Sequence, residues 1–336
     1  MQQRQLGPFT VSAIGLGCMN FCHAYGPATA PEQVERVLLA ALDAGITHFD
    51  TATLYGFGQS EELLGKYLMP HRDRFTLASK CGLHAVTGAD GKKVRAIDGR
   101  PETLRQNCED SLRRLNTDVI DLYYLHRWDK SVPIEESVGA LGDLVKAGKI
   151  RAVGLSEVSA QTLRQGHAEY PIAAVQTEYS LWTRNPEMGV LETCRELGTA
   201  FVAFSPVGRG FLTNQPPNPS TFDDKDIRKT MPRFMGESYT TNLDLLPAFH
   251  MLADEAGCTA AQLSLAWLLH KAPHILPIPG TTRVEHAIDD AKAADIVLEA
   301  DILQACEELI NTHTVTGNRY PAQARSEVDT EEIPGT

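Results

Sequence analysis

The chain has 336 residues, 43% of them hydrophobic, enough for a sizeable core and ordinary for an α/β barrel of about 250 residues plus insertions. A net charge of −12 argues against nucleic acid or an anionic membrane as partner. Seven cysteines, odd in number and without Cys-x-x-Cys spacing, read poorly as a disulfide framework or a metal site.

Met1 is followed by polar residues, and no apolar run approaches the roughly 18 residues of a membrane span. The expected address is the cytoplasm. Gln5 to Ser12 reads as a hairpin around Gly7-Pro8, and Ala13 to Gly17 as a glycine-bearing strand. Pro31 to Ala44 is helical, opened by proline and closed by Gly45. A strand from Ile46 to Asp50, a helix from Gln59 to Leu68 and a strand from Arg74 to Lys80 follow. The alternation continues with a helix over Pro101 to Leu115, a strand over Val119 to His126, a helix over Ile134 to Ala147 and a strand over Ile150 to Leu155. Ala160 to Glu169 is helical, Ala173 to Gln176 a strand, Glu187 to Leu197 a helix and Ala200 to Phe204 a strand. Helices over Leu243 to Ala256 and Ala260 to His270 precede a final apolar strand, Ile275 to Ile278.

Three segments break this rhythm. Leu83 to Arg100 and Thr213 to Tyr239 lack periodicity and are expected to form loops over a site. The tail from Asn311 is polar and acidic towards its end, and its last residues are expected to fray. About eight βα repeats predict a parallel sheet closed into a (β/α)8 TIM barrel, with the N-terminal hairpin and extra C-terminal helices added. No Gly-x-Gly-x-x-Gly opens a helix after a strand, which disfavours an open dinucleotide-binding sheet.

Asp50, Lys80 and His126 end three consecutive predicted strands, and Tyr55 lies just past the first of them. Barrel strand ends share one rim, so these groups are expected to converge. A cation against a phenol lowers its pKa, and an acid beside the cation holds the charge in place. Singly, each residue has an ordinary structural role. Together, they are the parts of a proton-transfer site.

The run from Asp50 to Gly56, the lysine strand, and Tyr123 to Arg127 resemble signature segments of the aldo-keto reductases. The likeness continues through Gly154 to Ser156, Gln176 to Ser180, Phe204 to Leu212 and Ile278 to Arg283, in the family's order. It lies nearest the branch of NADPH-dependent aldehyde reductases that includes pyridoxal-reductase-like and auxin-induced-protein-like members. The resemblance implies one barrel domain over residues 1–336, with a hairpin at 1–12, a lid-like loop at 213–239 and a tail at 311–336. It implies NADPH as cofactor and a small-molecule carbonyl substrate.

Site roles carry over by position. Tyr55 would be the general acid, Lys80 its activator, Asp50 the partner of Lys80, and His126 the group orienting the substrate oxygen. Ser156 and Gln176 would hold the nicotinamide carboxamide, and Phe204 would stack on its ring. Backbone amides between Ser205 and Leu212, with Pro206, Gly208 and Gly210, would cradle the pyrophosphate. Gly280, Thr281, Thr282 and Arg283 would meet the adenosine phosphate, with His286 beside them. Two departures from the family pattern stand out. Glu157 replaces the usual Asn after Ser156, so a carboxylate is expected near the carboxamide. Asp289 and Asp290 replace the usual Glu-Asn pair near the adenine. Trp128 and Trp182 are expected to line the substrate pocket, with Tyr55 and His126 at its base. Arg209 is expected at the surface or in contact with the lid, outside the core site.

Three other readings stay open. Lys80 could form a Schiff base in a lyase. A reductase-like channel subunit would bind NADPH without turnover, although the chain shows no long N-terminal extension. Asp50 and Glu178 could act as paired carboxylates.

Overall fold

The computed structural model describes residues 1–22, 24–88 and 91–333. A hairpin of β1 (Gln3–Leu6) and β2 (Phe9–Ser12) is followed by β3 (Leu16–Gly17), α1 (Pro31–Asp43), β4 (His48–Asp50), α2 (Gln59–Tyr67) and β5 (Thr76–Cys81). A second hairpin, β6 (Leu83–Thr87) and β7 (Lys93–Ile97), precedes α3 (Pro101–Leu115), β8 (Ile120–Leu125), α4 (Ile134–Lys146) and β9 (Ile150–Ser156). Then come α5 (Ala160–Glu169), β10 (Ile172–Glu178), α6 (Val190–Leu197), β11 (Ala200–Phe204), α7 (Gly236–Leu243), α8 (Leu246–Glu255) and α9 (Ala260–Lys271). The strand β12 (Ile275–Pro277) is followed by α10 (Val284–Lys292), α11 (Ala300–Leu309) and α12 (Ala322–Ser326).

Eight strands form one parallel sheet in the order β3-β4-β5-β8-β9-β10-β11-β12. The sheet closes on itself: Gly15 N–H donates to the carbonyl of Pro277 at 3.0 Å and Gly17 N–H to that of Pro279 at 2.9 Å. This is the expected (β/α)8 barrel. Successive strand residues point to opposite faces. One set, including Ala78, Leu122, Tyr124, Ala174 and Val202, fills the barrel with Leu6 and Val11 of the first hairpin. The other, including Phe49, Leu77, Tyr123, Leu155 and Phe201, packs against the surrounding helices. The hairpin plugs the N-terminal end, where a Cβ on Gly7 would stand 2.5 Å from that of Ala173.

Continued one step further, the inward parity places Asp50, Lys80, Ser156, Gln176 and Phe204 at the opposite, C-terminal mouth. Position on the rim is therefore a consequence of strand register.

The irregular segments depart from expectation. Residues Leu83 to Arg100, expected as a loop, carry the β6–β7 hairpin with Leu83 opposite Ile97 and Thr87 opposite Lys93; Ala89 and Asp90 lie outside the described residues. Apart from buried Leu83, its side chains are half-buried or exposed on both faces, so no apolar alternation marks it. The helix expected over Glu187 to Leu197 breaks at Gly189 into a 3-10 turn, Asn185–Met188, and α6. The helix expected from Leu243 starts instead at Leu246, behind the separate α7 and with Pro247 in its first turn. Segment 213–239 holds three short 3-10 turns and most of the first turn of α7, and it reaches the β3–α1 connection through Ile227 N–H to the carbonyl of Ala24 at 2.9 Å. His23 in that connection lies outside the described residues.

The tail packs on the barrel through residue 333; the last residues, expected to fray, lie in part outside the described residues. Asp329 Oδ2 accepts from the Ser159 and Thr162 hydroxyls at 2.9 and 2.7 Å, capping α5, and Glu331 Oε1 accepts from Ala160 N–H at 2.8 Å. Lys130 Nζ donates to the carbonyl of Val328 at 2.8 Å. Among the described residues, no helix is long and apolar enough to cross a membrane.

Candidate active site

Asp50 ends β4, and the chain then turns sharply to present Tyr55. The turn runs through Gly56, Phe57 and Gly58, all with positive φ (59°, 54° and 102°). At Gly56 a Cβ would also meet Cys22 Sγ at 2.9 Å, so the turn that aims the phenol needs glycine there. Lys80 projects inward from β5 and is fully buried. Its ammonium forms an ion pair with Asp50 Oδ1, donates to the carbonyl of Thr51 at 2.9 Å, and lies 3.4 Å from the Tyr55 hydroxyl. His126, just past β8, meets Tyr55 edge to face with ring centroids 5.8 Å apart. The four side chains expected to converge do so.

Their electrostatics differ in one respect from the expectation. Burial pushes the Tyr55 phenol above its ordinary pKa, and Lys80 and Arg127 draw it back only in part. The phenol is thus held protonated at neutral pH, ready to donate. Burial also opposes the charged form of Lys80, but the Asp50 carboxylate and the Tyr55 oxygen together outweigh it and raise the amine's pKa. A lysine held so firmly as ammonium is a poor Schiff-base nucleophile.

The four residues stand at the inner end of a cleft of about 1260 Å³. Asp50, Tyr55 and His126 line it directly, as do Ser156, Gln176, Phe204, Ser205, Pro206, Gly210, Gly280, Thr281, Thr282, Arg283, His286, Asp289 and Asp290. Such a volume exceeds that of most small-molecule pockets, about 300–1,000 Å³, and suits a dinucleotide with a substrate beside it. The donors fit as well. Ser156 and Gln176 offer polar contacts beside the Lys80–Asp50 pair, Phe204 offers a ring, and Arg283 stands largely exposed with Glu285 3.8 Å away. Among the described residues, no group of three or more His, Cys, Asp or Glu side chains could hold a metal.

Other sequence-based expectations are corrected. Gly208 and Leu212 are buried outside the cleft wall, and the N–H groups of Gly208, Gly210 and Leu212 already donate within their own turn, to Ser205, Val207 and Val207. In this conformation they present no amide cradle. Gln176 Nε2 donates to Asp50 Oδ2 at 2.8 Å, tying it to the ion pair. Trp182 is stacked on Phe211 at 4.1 Å between ring centroids, and Trp128 Nε1 bonds the carbonyl of Val132; neither lines the cleft.

Glu157 adopts φ 55°, which turns its carboxylate away from the cleft. There it accepts from Arg319 Nη2 at 2.5 Å and from Glu178 N–H at 3.0 Å. Arg209, expected at the surface or against the lid, is buried and paired with Glu178 at 2.7 Å, and its carbonyl accepts from Arg228 of segment 213–239 at 3.1 Å. Its other contacts are the hydroxyls of Tyr25 and Tyr320, at 3.2 and 3.3 Å. Burial opposes ionisation of Glu178, yet Arg209 and Arg319 hold its carboxyl below the usual range. Committed to that pair, Glu178 is not disposed as one of two catalytic carboxylates. Tyr320, Gln323 and Glu327 bring the tail into the cleft wall, which sequence reasoning missed. The available signal was Arg319-Tyr320 in an otherwise acidic stretch, answering the unusual Glu157.

Comparison with known proteins agrees with this architecture. The profile of the Aldo/keto reductase family matches residues 13–311. The NADP(+) aldo-keto reductase yakc of Schizosaccharomyces pombe is 40% identical over 340 aligned positions, covering 98% of each chain. Among solved structures, the glycerol dehydrogenase AKR11B4 from Gluconobacter oxydans superimposes with a TM-score of 0.84 at 28% identity, covering 94% of this chain and 97% of that one. An aldo-keto reductase from Klebsiella pneumoniae in complex with NADPH gives 0.71 at 28% identity, covering 96% and 99%.

Proposed function

This chain belongs to the aldo/keto reductase family, and from that premise we propose that it reduces aldehydes or ketones to alcohols with NADPH, Tyr55 serving as general acid. The observation that carries the reading is the Tyr55 hydroxyl 3.4 Å from a buried ammonium at the inner end of a cleft of nucleotide size. Bound NADPH would supply the hydride. Ser156 and Gln176 would orient its carboxamide, Phe204 would cover its ring, and Arg283 with Thr281 and Thr282 would meet its 2′-phosphate. Placement near the pyridoxal-reductase-like and auxin-induced-protein-like branch is part of this proposal and rests on the motifs.

The protein's own part is proton delivery. His126 orients the carbonyl oxygen toward Tyr55. The neutral phenol gives up its proton as negative charge grows on that oxygen. Lys80 then stabilises the phenolate left behind, and Asp50 keeps Lys80 charged and in place. Because Tyr55 holds its proton beyond the ordinary phenol range, reduction should stay level through neutral pH and fall only in alkali.

Tyr55→Phe tests this directly. Reduction of 4-nitrobenzaldehyde should fall at least about 100-fold in kcat, with NADPH affinity by fluorescence titration changed no more than about twofold. Turnover that survives the substitution removes Tyr55 from the acid's role.

A further inference from the structure

Arg127 follows His126 at the end of β8, and both line the cleft. Its guanidinium donates from Nη1 to the carbonyl of His126 at 2.8 Å, and among the described residues it forms no ion pair. The neighbouring arginines of the cleft are answered: Arg209 by Glu178, Arg228 by Asp226, and Arg95 by Glu327, at 2.7, 2.7 and 2.5 Å. Arg127 is the half-buried exception at the substrate end, with most of its N–H donors facing no carboxylate. A partly desolvated guanidinium costs free energy unless an anion meets it, and its planar fork matches a carboxylate in two-point contact.

Two features narrow the anion. Its charge reaches the chemical centre, since Arg127 draws down the proton affinity of Tyr55 against the effect of burial. Leu54 and Leu83, clustered beside Tyr55, give an apolar wall for the carbon body between anion and carbonyl.

We propose that the substrate of this site carries a carboxylate as well as the reducible carbonyl, the carboxylate docking on Arg127 while the carbonyl oxygen faces Tyr55 and His126. The inference rests on the carbonyl-reductase reading above and names the substrate class. Oxo-acids and semialdehydes with a short apolar spacer are of this kind.

Steady-state reduction of 4-carboxybenzaldehyde is to be compared with that of its neutral counterpart, 4-carbamoylbenzaldehyde, at saturating NADPH. The native protein should favour the carboxylate in kcat/KM by about 10- to 100-fold, chiefly through KM, as expected for a charge-assisted hydrogen-bond pair. Arg127→Gln should erase that preference, and Arg127→Lys, which keeps the charge and loses the fork, should retain part of it. Benzoate should inhibit the native protein far better than benzamide, a readout that needs no variant to fold. Equal reduction of the two aldehydes, or a preference that persists in Arg127→Gln, overturns the inference and leaves the reductase reading standing. Reduction of neither overturns both.

Discussion

Asp290 is half-buried in the cleft wall beside Asp289. Burial, then repulsion from Asp289, pushes its carboxyl up to about 7. It shares the phosphate end of the cleft with Arg283, His286 and Asp289, and Lys292 stands 3.4 Å from Asp289. The sign follows from the raised value. Below about 7 the folded protein keeps Asp290 protonated and neutral; above it, a second carboxylate appears beside the proposed 2′-phosphate position. NADPH should therefore bind more weakly as pH rises from about 6 to about 8, by roughly threefold, and Asp290→Asn should flatten that dependence. Fluorescence titration across the range, with both proteins in the same buffers, separates this from the cofactor's own ionisation. A native profile matched by the variant removes Asp290 from the effect. The sequence marked Asp290 as a departure from the family but gave no sign of its burial. Asp50, Tyr55, Lys80 and His126 were legible because each sits at or just past a strand end, where local pattern alone implies the rim.

That legibility belongs to the strands. In β5, Leu77 and Cys81 face the helices, so Ala78 and Lys80 must face the barrel axis. The same parity sets Gly154 in β9 against Tyr124 in β8, one strand over. A Cβ on Gly154 would lie 2.3 Å from the Tyr124 ring, a buried group with no room to retreat. Gly154→Ala should destabilise the barrel by about 1–3 kcal/mol through overpacking, read as a lower urea midpoint at unchanged slope. Gly148→Ala is the control for composition alone: its φ of 73° is strained, but no atom crowds the added carbon. If Gly154→Ala unfolds no more easily than Gly148→Ala, packing against Tyr124 is not what demands glycine. The second hairpin was not legible by this route. Beyond buried Leu83 its strands are wetted on both faces, so β6 and β7 have backbone pairing without an apolar period.

Contacts that join distant parts of the chain were the least legible, because no local pattern encodes a partner 162 residues away. Arg319 reaches across that separation to Glu157, and both side chains are buried. Burial works against the Arg319 cation, yet Glu157 holds it charged beyond the usual arginine range. Next to it, Tyr320 meets Arg209, whose partner Glu178 also accepts from the Thr183 hydroxyl at 3.3 Å. The tail is thus fastened over the barrel mouth by one ion pair, to Glu157 just past β9, and by the Tyr320 hydroxyl, which accepts from the arginine of a second pair at the end of β10. An intact buried pair adds little net stability, but removing one partner strands the other charge and costs about 3–5 kcal/mol. Arg319→Met should impose a loss of that size, and because the tail forms part of the cleft wall, it should also raise KM for aldehyde. Adding Glu157→Leu removes the orphaned carboxylate and should recover most of the stability while leaving KM raised, since the tie that holds Arg319 and Tyr320 over the cleft stays cut. Thermal unfolding and steady-state kinetics on the two variants read these effects separately. Stability that stays lost in the double variant would mean that Arg319 acts through packing rather than through charge.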